Sequence, residues 1–252
     1  MKARSKAAAF LLFLLSSAPA IADPHAPVDA EQYKNTIRVA CVGDSITART
    51  GLTDGVPYPA QLGKMLGEKW EVRNFGVSGA TLLNHGDLPY RKHPAFQSVL
   101  DYLPDVVIIM LGTNDTQPQN WKFRDEFAED YKSLIRKFSE LPSKPRIYIC
   151  HPPPTRKGGN YGIREEGVVE EIPIIDRVAQ EMNVGLIDMY GALKDHRSLI
   201  PDKVHPNTAG SRFMAKAAYK ALTGKELEEQ TPGTPPKAKA SPADSEVRPR
   251  GT

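Results

Sequence analysis

Cysteine is scarce in this chain: only Cys41 and Cys150 occur in 252 residues, too few for a disulfide framework. No His, Cys or Asp cluster stands at metal-ligand spacing. Each cysteine closes an apolar, β-like run, and the strand order argued below puts a whole strand between them. Two strand spacings are ~9–10 Å, beyond the Cα reach of a disulfide, so two buried thiols are expected. Long apolar runs are absent as well. The longest, "AAAFLLFLL" at residues 7–15, is too short to span a bilayer. An excess of one charge is also lacking. The 33 Lys and Arg face 30 Asp and Glu, and three of the basic residues (Lys2, Arg4, Lys6) lie in the first 22 positions. Without that segment the count is 30 against 30, which gives no sign of an electrostatic attraction to nucleic acid or to a membrane surface, and neither is expected as a partner.

The two ends read differently from the middle. Residues 1–22 combine a basic start, an apolar centre and the small-x-small site Ala20-Ile21-Ala22, the layout of a secretory signal peptide. Its removal would leave no membrane insertion and would put the protein in the periplasm or outside the cell. Residues 223–252 are expected to be a disordered tail. From 231 onward it holds five prolines, alternating charges and a single larger aliphatic residue, Val247. The remaining segment, 36–222, is the right size for one domain with a substantial core.

Within it, apolar runs alternate with helical patterns. Strands are expected at "IRVACVG" (37–43), "WEVRNFG" (70–76), "PDVVIIMLG" (104–112), "PRIYICHPPP" (145–154) and "NVGLIDM" (183–189). Helices are expected at 58–69, 126–138, 168–182 and 207–222, the second with Phe127, Tyr131, Leu134, Ile135 and Phe138 on one face. Five strands separated by helical stretches imply an α/β fold with a parallel sheet covered on both faces. Residues 153–167 form the longest irregular piece, long enough to suspect a functional loop.

Ligands of such sheets sit beyond the carboxyl ends of the strands. Those ends carry Gly43-Asp44-Ser45, Asn74 through Gly79, Gly112 through Asp115, His151 and "PDKVHPN" at 201–207. Acyl transfer needs a nucleophile, a base, a group orienting the base and donors for the oxyanion. Ser45 supplies a hydroxyl, His205 an imidazole, and Asp202 stands three residues before it. Pro206 suits the first position of a helix, so the segment reads as a constrained turn entering the last helix. Each residue has a plain alternative: Ser45 and Asn114 as helix caps, Gly79 as a turn glycine, His205 as a surface-turn cap. Their joint placement at strand ends favours the chemical reading.

"GDSIT" (43–47), "NFGVSG" (74–79), "GTND" (112–115) and "DKVHPN" (202–207) resemble, in order and spacing, the four sequence blocks of the SGNH/GDSL hydrolases. The resemblance covers residues 37 to 222. It implies a three-layer α/β/α sandwich around a five-stranded parallel sheet in the order 2-1-3-4-5, flavodoxin-like. It also implies a serine esterase working through an acyl-enzyme, without metal or organic cofactor. Ser45 would be the nucleophile, His205 the base and then the acid, and Asp202 its orienting partner. The N–H groups of Ser45 and Gly79 and the amide of Asn114 would form the oxyanion hole.

The substrate is read more coarsely. The segments 84–94 and 155–167 are polar and offer no apolar lid, which suits a small acyl group on a hydrophilic leaving group. The longer pattern, with "NFGVSGATLL", "GTNDTQPQNW" and "NYGI", resembles exported bacterial sialate and carbohydrate O-acetylesterases. The expected partner is therefore an acetylated sugar or polysaccharide. A broad short-chain carboxylesterase or lysophospholipase-type enzyme, and a non-catalytic carbohydrate-binding protein on the same fold, are the alternatives. Trp121 and Tyr161 are candidate substrate contacts, the first as a stacking wall or a core cover, the second on a loop that Gly158, Gly159 and Gly162 would let move. His151 could line the site or serve only structure.

Overall fold

A computed structural model describes residues 26–49 and 55–227. The expected signal peptide, and the tail from 228 onward, lie outside the described residues. Five strands, β1 (Ile37–Gly43), β2 (Trp70–Gly76), β3 (Val106–Met110), β4 (Arg146–His151) and β5 (Gly185–Asp188), form one parallel sheet in the order β2-β1-β3-β4-β5. The helices are α1 (Ser45–Ala48), α2 (Tyr58–Leu66), α3 (Pro94–Tyr102), α4 (Pro118–Trp121), α5 (Phe127–Ser139), α6 (Glu165–Met182), α7 (Met189–Leu193) and α8 (Thr208–Thr223). No helix among the described residues is long and apolar enough to cross a membrane.

The central strands are apolar at nearly every position because both faces of the sheet are covered. In β1, Ala40 and Val42 join one core and Ile37, Val39 and Cys41 the other; in β3, Val107 and Ile109 oppose Val106, Ile108 and Met110. On the first face the apolar stripe of α5 packs with Ile175 and Val178 of α6, and Val99 of α3 joins the same core. On the second, Leu62 of α2, Leu193 of α7 and Met214, Ala218 and Leu222 of α8 cover the sheet. Cys41 and Cys150 are both free and buried, on strands separated by β3. Burial pushes the Cys41 thiol up to about 12, a hydrogen bond with Tyr58 opposing, so it stays protonated and inert.

Three elements depart from the sequence expectation. Helix α6 begins at Glu165, so the irregular segment is shorter than 153–167. Residues 94–102 form α3, opened by Pro94 at its first position and by the His93 imidazole accepting from the Ala95 N–H at 3.1 Å. Pro206 is not the first residue of α8; Asn207 is the cap, its side chain accepting from the Gly210 N–H, and Pro206 precedes it.

Strand register aligns the chemistry. Gly43 pairs with Gly76 on one side and Met110 on the other, so the segments carrying Ser45, Gly79 and Asn114 leave the sheet at one edge. The packing of α5 on the first face of the sheet gives a direct test. Phe138 is fully buried with its ring 5.8 Å from that of Phe96. Truncation in Phe138→Ala should cost ~3–5 kcal/mol in urea unfolding through the cavity it leaves; a loss below ~1 kcal/mol would mean that this core can collapse around the gap.

Candidate active site

The turn after β1 is built by Asp44. Its carboxylate caps α1 by accepting from the Ile46 N–H at 2.9 Å, which leaves Ser45, the first helical residue, half-buried at the sheet edge. Asp44, not Ser45, is thus the cap, and the serine hydroxyl is free for other work. Its Oγ lies 2.8 Å from His205 Nε2. The far nitrogen, Nδ1, lies 2.6 Å from Asp202 Oδ2, and Asp202 Oδ1 accepts from the backbone N–H groups of Val204 at 3.0 Å and His205 at 2.7 Å. Lys203, with φ 78°, takes the left-handed conformation that lets this three-residue turn close on its own carboxylate. Burial pushes the Asp202 carboxyl up, but those two N–H groups and the imidazole outweigh it and hold it below the usual carboxylate range. Asp202 is therefore an anion at neutral pH, fixed against the imidazole.

The groups expected as oxyanion donors lie at two further strand ends. Gly79 sits at φ 79°, where a side chain would be strained. A Cβ there would meet only Leu88 at 3.6 Å, so within the protein the glycine is demanded by backbone angle and not by crowding. Among the described residues the N–H groups of Ser45 and Gly79 find no protein acceptor. The Asn114 amide donates one hydrogen to the Ala80 carbonyl at 3.1 Å, which ties it to the Gly79 loop and leaves its second hydrogen available. Asn120 in turn donates to the Asn114 carbonyl at 3.0 Å.

Beneath these donors lie acids that the sequence reading passed over. Asp115 is fully buried, and its two oxygens accept from the N–H groups of Leu82 at 2.9 Å and Leu83 at 2.7 Å, anchoring the loop that carries Gly79. Burial raises its pKa to about 7 against the lowering effect of those bonds, with Asp44 adding repulsion. Glu171 of α6 is 0 % exposed, with neither carboxyl oxygen bonded to a described group. It lies against Gly112, where any side chain would collide with it. Burial first, then Asp115 and Asp44, pushes its pKa well above the usual range, so Glu171 is a neutral acid. The sequence carried a signal for it: Val168, Glu171, Ile175 and Val178 fall at one helical spacing, and all four are buried.

The remaining candidates divide. Tyr161 stays on the surface, 59 % exposed, with its ring 5.9 Å from that of His205 in edge-on orientation. Its loop is tied down. Asn160 and Ile163 exchange backbone hydrogen bonds, the Asn160 amide donates to the Asp202 carbonyl at 3.1 Å, and the Arg156 N–H donates to the Lys203 carbonyl at 3.0 Å. Gly158, Gly159 and Gly162 all have positive φ, so they shape this hairpin rather than loosen it. Glu165 clamps the loop base, accepting from the Thr155 N–H at 2.7 Å, the Tyr190 hydroxyl at 2.5 Å and Arg197 at 2.6 Å. Trp121 packs edge-on against Phe127 at 5.6 Å and donates its indole N–H to Glu170 at 2.7 Å. His151 is buried between Asp176 at 2.8 Å and Asp188 at 3.0 Å, tying β4 to α6 and β5. It makes no hydrogen bond to the Ser45–His205 pair and serves structure. No group of three or more His, Cys, Asp or Glu among the described residues could hold a metal ion.

The chain belongs to the GDSL-like lipase/acylhydrolase family, whose model matches residues 41–213. An acetylxylan esterase of Xylanibacter ruminicola is 36 % identical over 210 residues, covering 75 % of this chain and 44 % of that protein. A multidomain esterase of Ruminococcus flavefaciens is 23 % identical over 252 residues, covering 84 % of this chain and 31 % of that protein. The chain thus spans less than half the length of these curated relatives. Among solved structures, an acetyl xylan esterase from Geobacillus stearothermophilus superposes with a TM-score of 0.62 at 22 % identity, over 78 % of this chain and 98 % of that one. A carbohydrate acetylesterase from Sinorhizobium meliloti gives 0.59 at 21 % identity, over 74 % and 98 %. Both share the fold.

Two measurements test the buried acids. Asp115→Asn keeps the shape but sets an amide N–H against a backbone N–H, so the Gly79 loop should shift. On p-nitrophenyl acetate, kcat should fall ~10–100-fold with KM little changed; an unchanged kcat would mean that the loop is held by other contacts. Glu171 holds a proton in the native state that it loses on unfolding once pH exceeds about 4.5. Its contribution to stability therefore falls as pH rises from there toward its raised native value. Glu171→Met, which removes this linkage, should gain in melting temperature relative to wild type as pH goes from 5 to 8; a constant gap between the two would count against a protonated Glu171.

Proposed function

We propose that this protein removes O-acetyl groups from carbohydrate through an acetyl-enzyme on Ser45. The observation that carries this reading is the hydrogen-bonded run from Ser45 through His205 to Asp202, with spacings of 2.8 and 2.6 Å. In the proposed cycle His205 Nε2 takes the Ser45 proton as Oγ attacks the acetyl carbonyl. The tetrahedral oxyanion is received by the Ser45 and Gly79 N–H groups and the Asn114 amide. Collapse expels the sugar alkoxide, which takes the proton from His205. Water then attacks the acetyl-enzyme with His205 as base, and acetate leaves as Ser45 regains its proton. Asp202 holds the ring orientation and stabilises the imidazolium without accepting its proton. No step requires a metal or an organic cofactor.

The acetyl and carbohydrate parts draw support from the acetylxylan esterase relative and from the polar Tyr161 loop beside His205. Tyr161 is proposed to contact the sugar, which an exposed ring can do by stacking. Activity outside the cytoplasm rests on the leader pattern of residues 1–22. The binding-only alternative gives no reason for an aligned Ser–His–Asp run.

Acetate release from acetylated xylan, acetylated sialic acid and p-nitrophenyl acetate tests the reading, with Ser45→Ala beside the wild type. Release is expected from the wild type and to fall on the order of 10⁶-fold in kcat in the variant, with acetyl esters preferred over octanoyl esters. A preference for octanoyl would move the assignment to a general carboxylesterase or lysophospholipase. Equal inactivity of both proteins on every ester would favour a binding role.

A further inference from the structure

The chain passes in one residue from Tyr161, whose ring abuts His205, to Gly162, which lines a solvent-open groove between α4 and the start of α6. Pro118 and Trp121 form one wall of this groove. The indole is held by its bond to Glu170 and by its edge-on packing on Phe127, so a flat apolar face is fixed without any ligand. Three exposed cations, Lys122, Arg124 and Arg164, line the same groove with two carboxylates, Glu166 and Glu170. Glu170 is committed to the indole, and Lys122 lies over the Phe123 ring at 4.8 Å. Among the described residues Arg124 and Arg164 form no ion pair and no side-chain hydrogen bond, so two guanidinium forks face solvent beside a fixed aromatic ring.

We propose that this groove is a sugar subsite for an acidic residue of the polysaccharide, a uronic acid whose carboxylate is received by Arg124 and Arg164. The proposal rests on the carbohydrate reading above and adds a preference within it. A ring stacked near Trp121 supplies sequence-tolerant contact, as sugars do on aromatic faces. The planar guanidinium supplies the selection, since its fork matches a carboxylate bidentately and a neutral hydroxyl does not. Gly162, between the groove and Tyr161, carries no side chain to obstruct a chain lying across it.

The test compares kcat/KM for acetylated xylooligosaccharides with and without a glucuronic acid branch, using the full chain. The wild type should prefer the branched substrate about 1.5- to fivefold, the range of exposed ion pairs, with the preference shrinking as salt is raised. The double variant Arg124→Gln, Arg164→Gln should lose the preference while keeping its melting temperature. Glu166→Gln, which removes an anion from the same groove, should increase it. Equal rates on the two oligosaccharides, or a preference that survives the double variant, would overturn the subsite alone. Turnover of p-nitrophenyl acetate with no acetate released from either oligosaccharide would overturn the carbohydrate reading and the subsite with it.

Discussion

Carboxylates that accept backbone N–H groups hold the catalytic edge of this sheet in shape. Asp44 caps the helix that presents Ser45, Asp115 grips Leu82 and Leu83 under the Gly79 loop, and Asp202 closes the turn that carries His205. The segments of Asp44 and Asp115 leave parallel strands and lose their ladder partners there, and the Asp202 turn lies between α7 and α8 with no ladder at all. A carboxylate can satisfy two adjacent N–H groups from one side chain, which fixes both position and direction of a loop. The cost is electrostatic. Burial raises Asp44 to about 6 and Asp115 to about 7, Asp44 adds repulsion on Asp115, and both carboxylates push the buried Glu171 up further. Asp202 differs because it is only partly buried and its bonds outweigh desolvation, so it alone among these acids is held below its usual pKa.

That division of labour explains what the chain made legible. The strands announced themselves because central parallel strands must be apolar on both faces, and the blocks at their ends followed once the strand order was read. Ser45, Asp202 and His205, which the structure joins by hydrogen bonds, could be picked out at a strand end and a turn signal, whereas the roles expected of Gly79 and Asn114 came from the resemblance of the four blocks. Register did the rest, placing Gly43, Gly76 and Met110 side by side. Helix α3 was harder, because its Pro-opened sequence "PAFQSVLDY" follows a polar stretch with no side-chain cap other than a histidine.

Long-range satisfaction was not legible. Nothing near Glu165 in the chain announces Tyr190 or Arg197, and nothing near Asn160 announces the carbonyl of Asp202, yet these bonds hold the Tyr161 hairpin in place. The loop glycines misled for the same reason. Composition reads them as freedom, whereas their positive φ values are the conformations a tight hairpin needs. Glu171 is the mirror case: its helical position marked it as buried, but its chemistry depends on Asp115 and Asp44 arriving from other strand ends.

The same hairpin sets what the site can accept. It is tied to the backbone of Asp202 and Lys203, so the exposed Tyr161 ring and the imidazole of His205 are positioned by one connected set of bonds. A substrate that contacts Tyr161 would therefore contact a residue whose backbone is tied to the turn that carries His205. Binding at the ring can then orient an ester toward Ser45 with little further loss of freedom, which is how remote contacts lower a chemical barrier. On the proposed function, a leaving group large enough to touch Tyr161 gains that orientation, which a small acyl group alone does not.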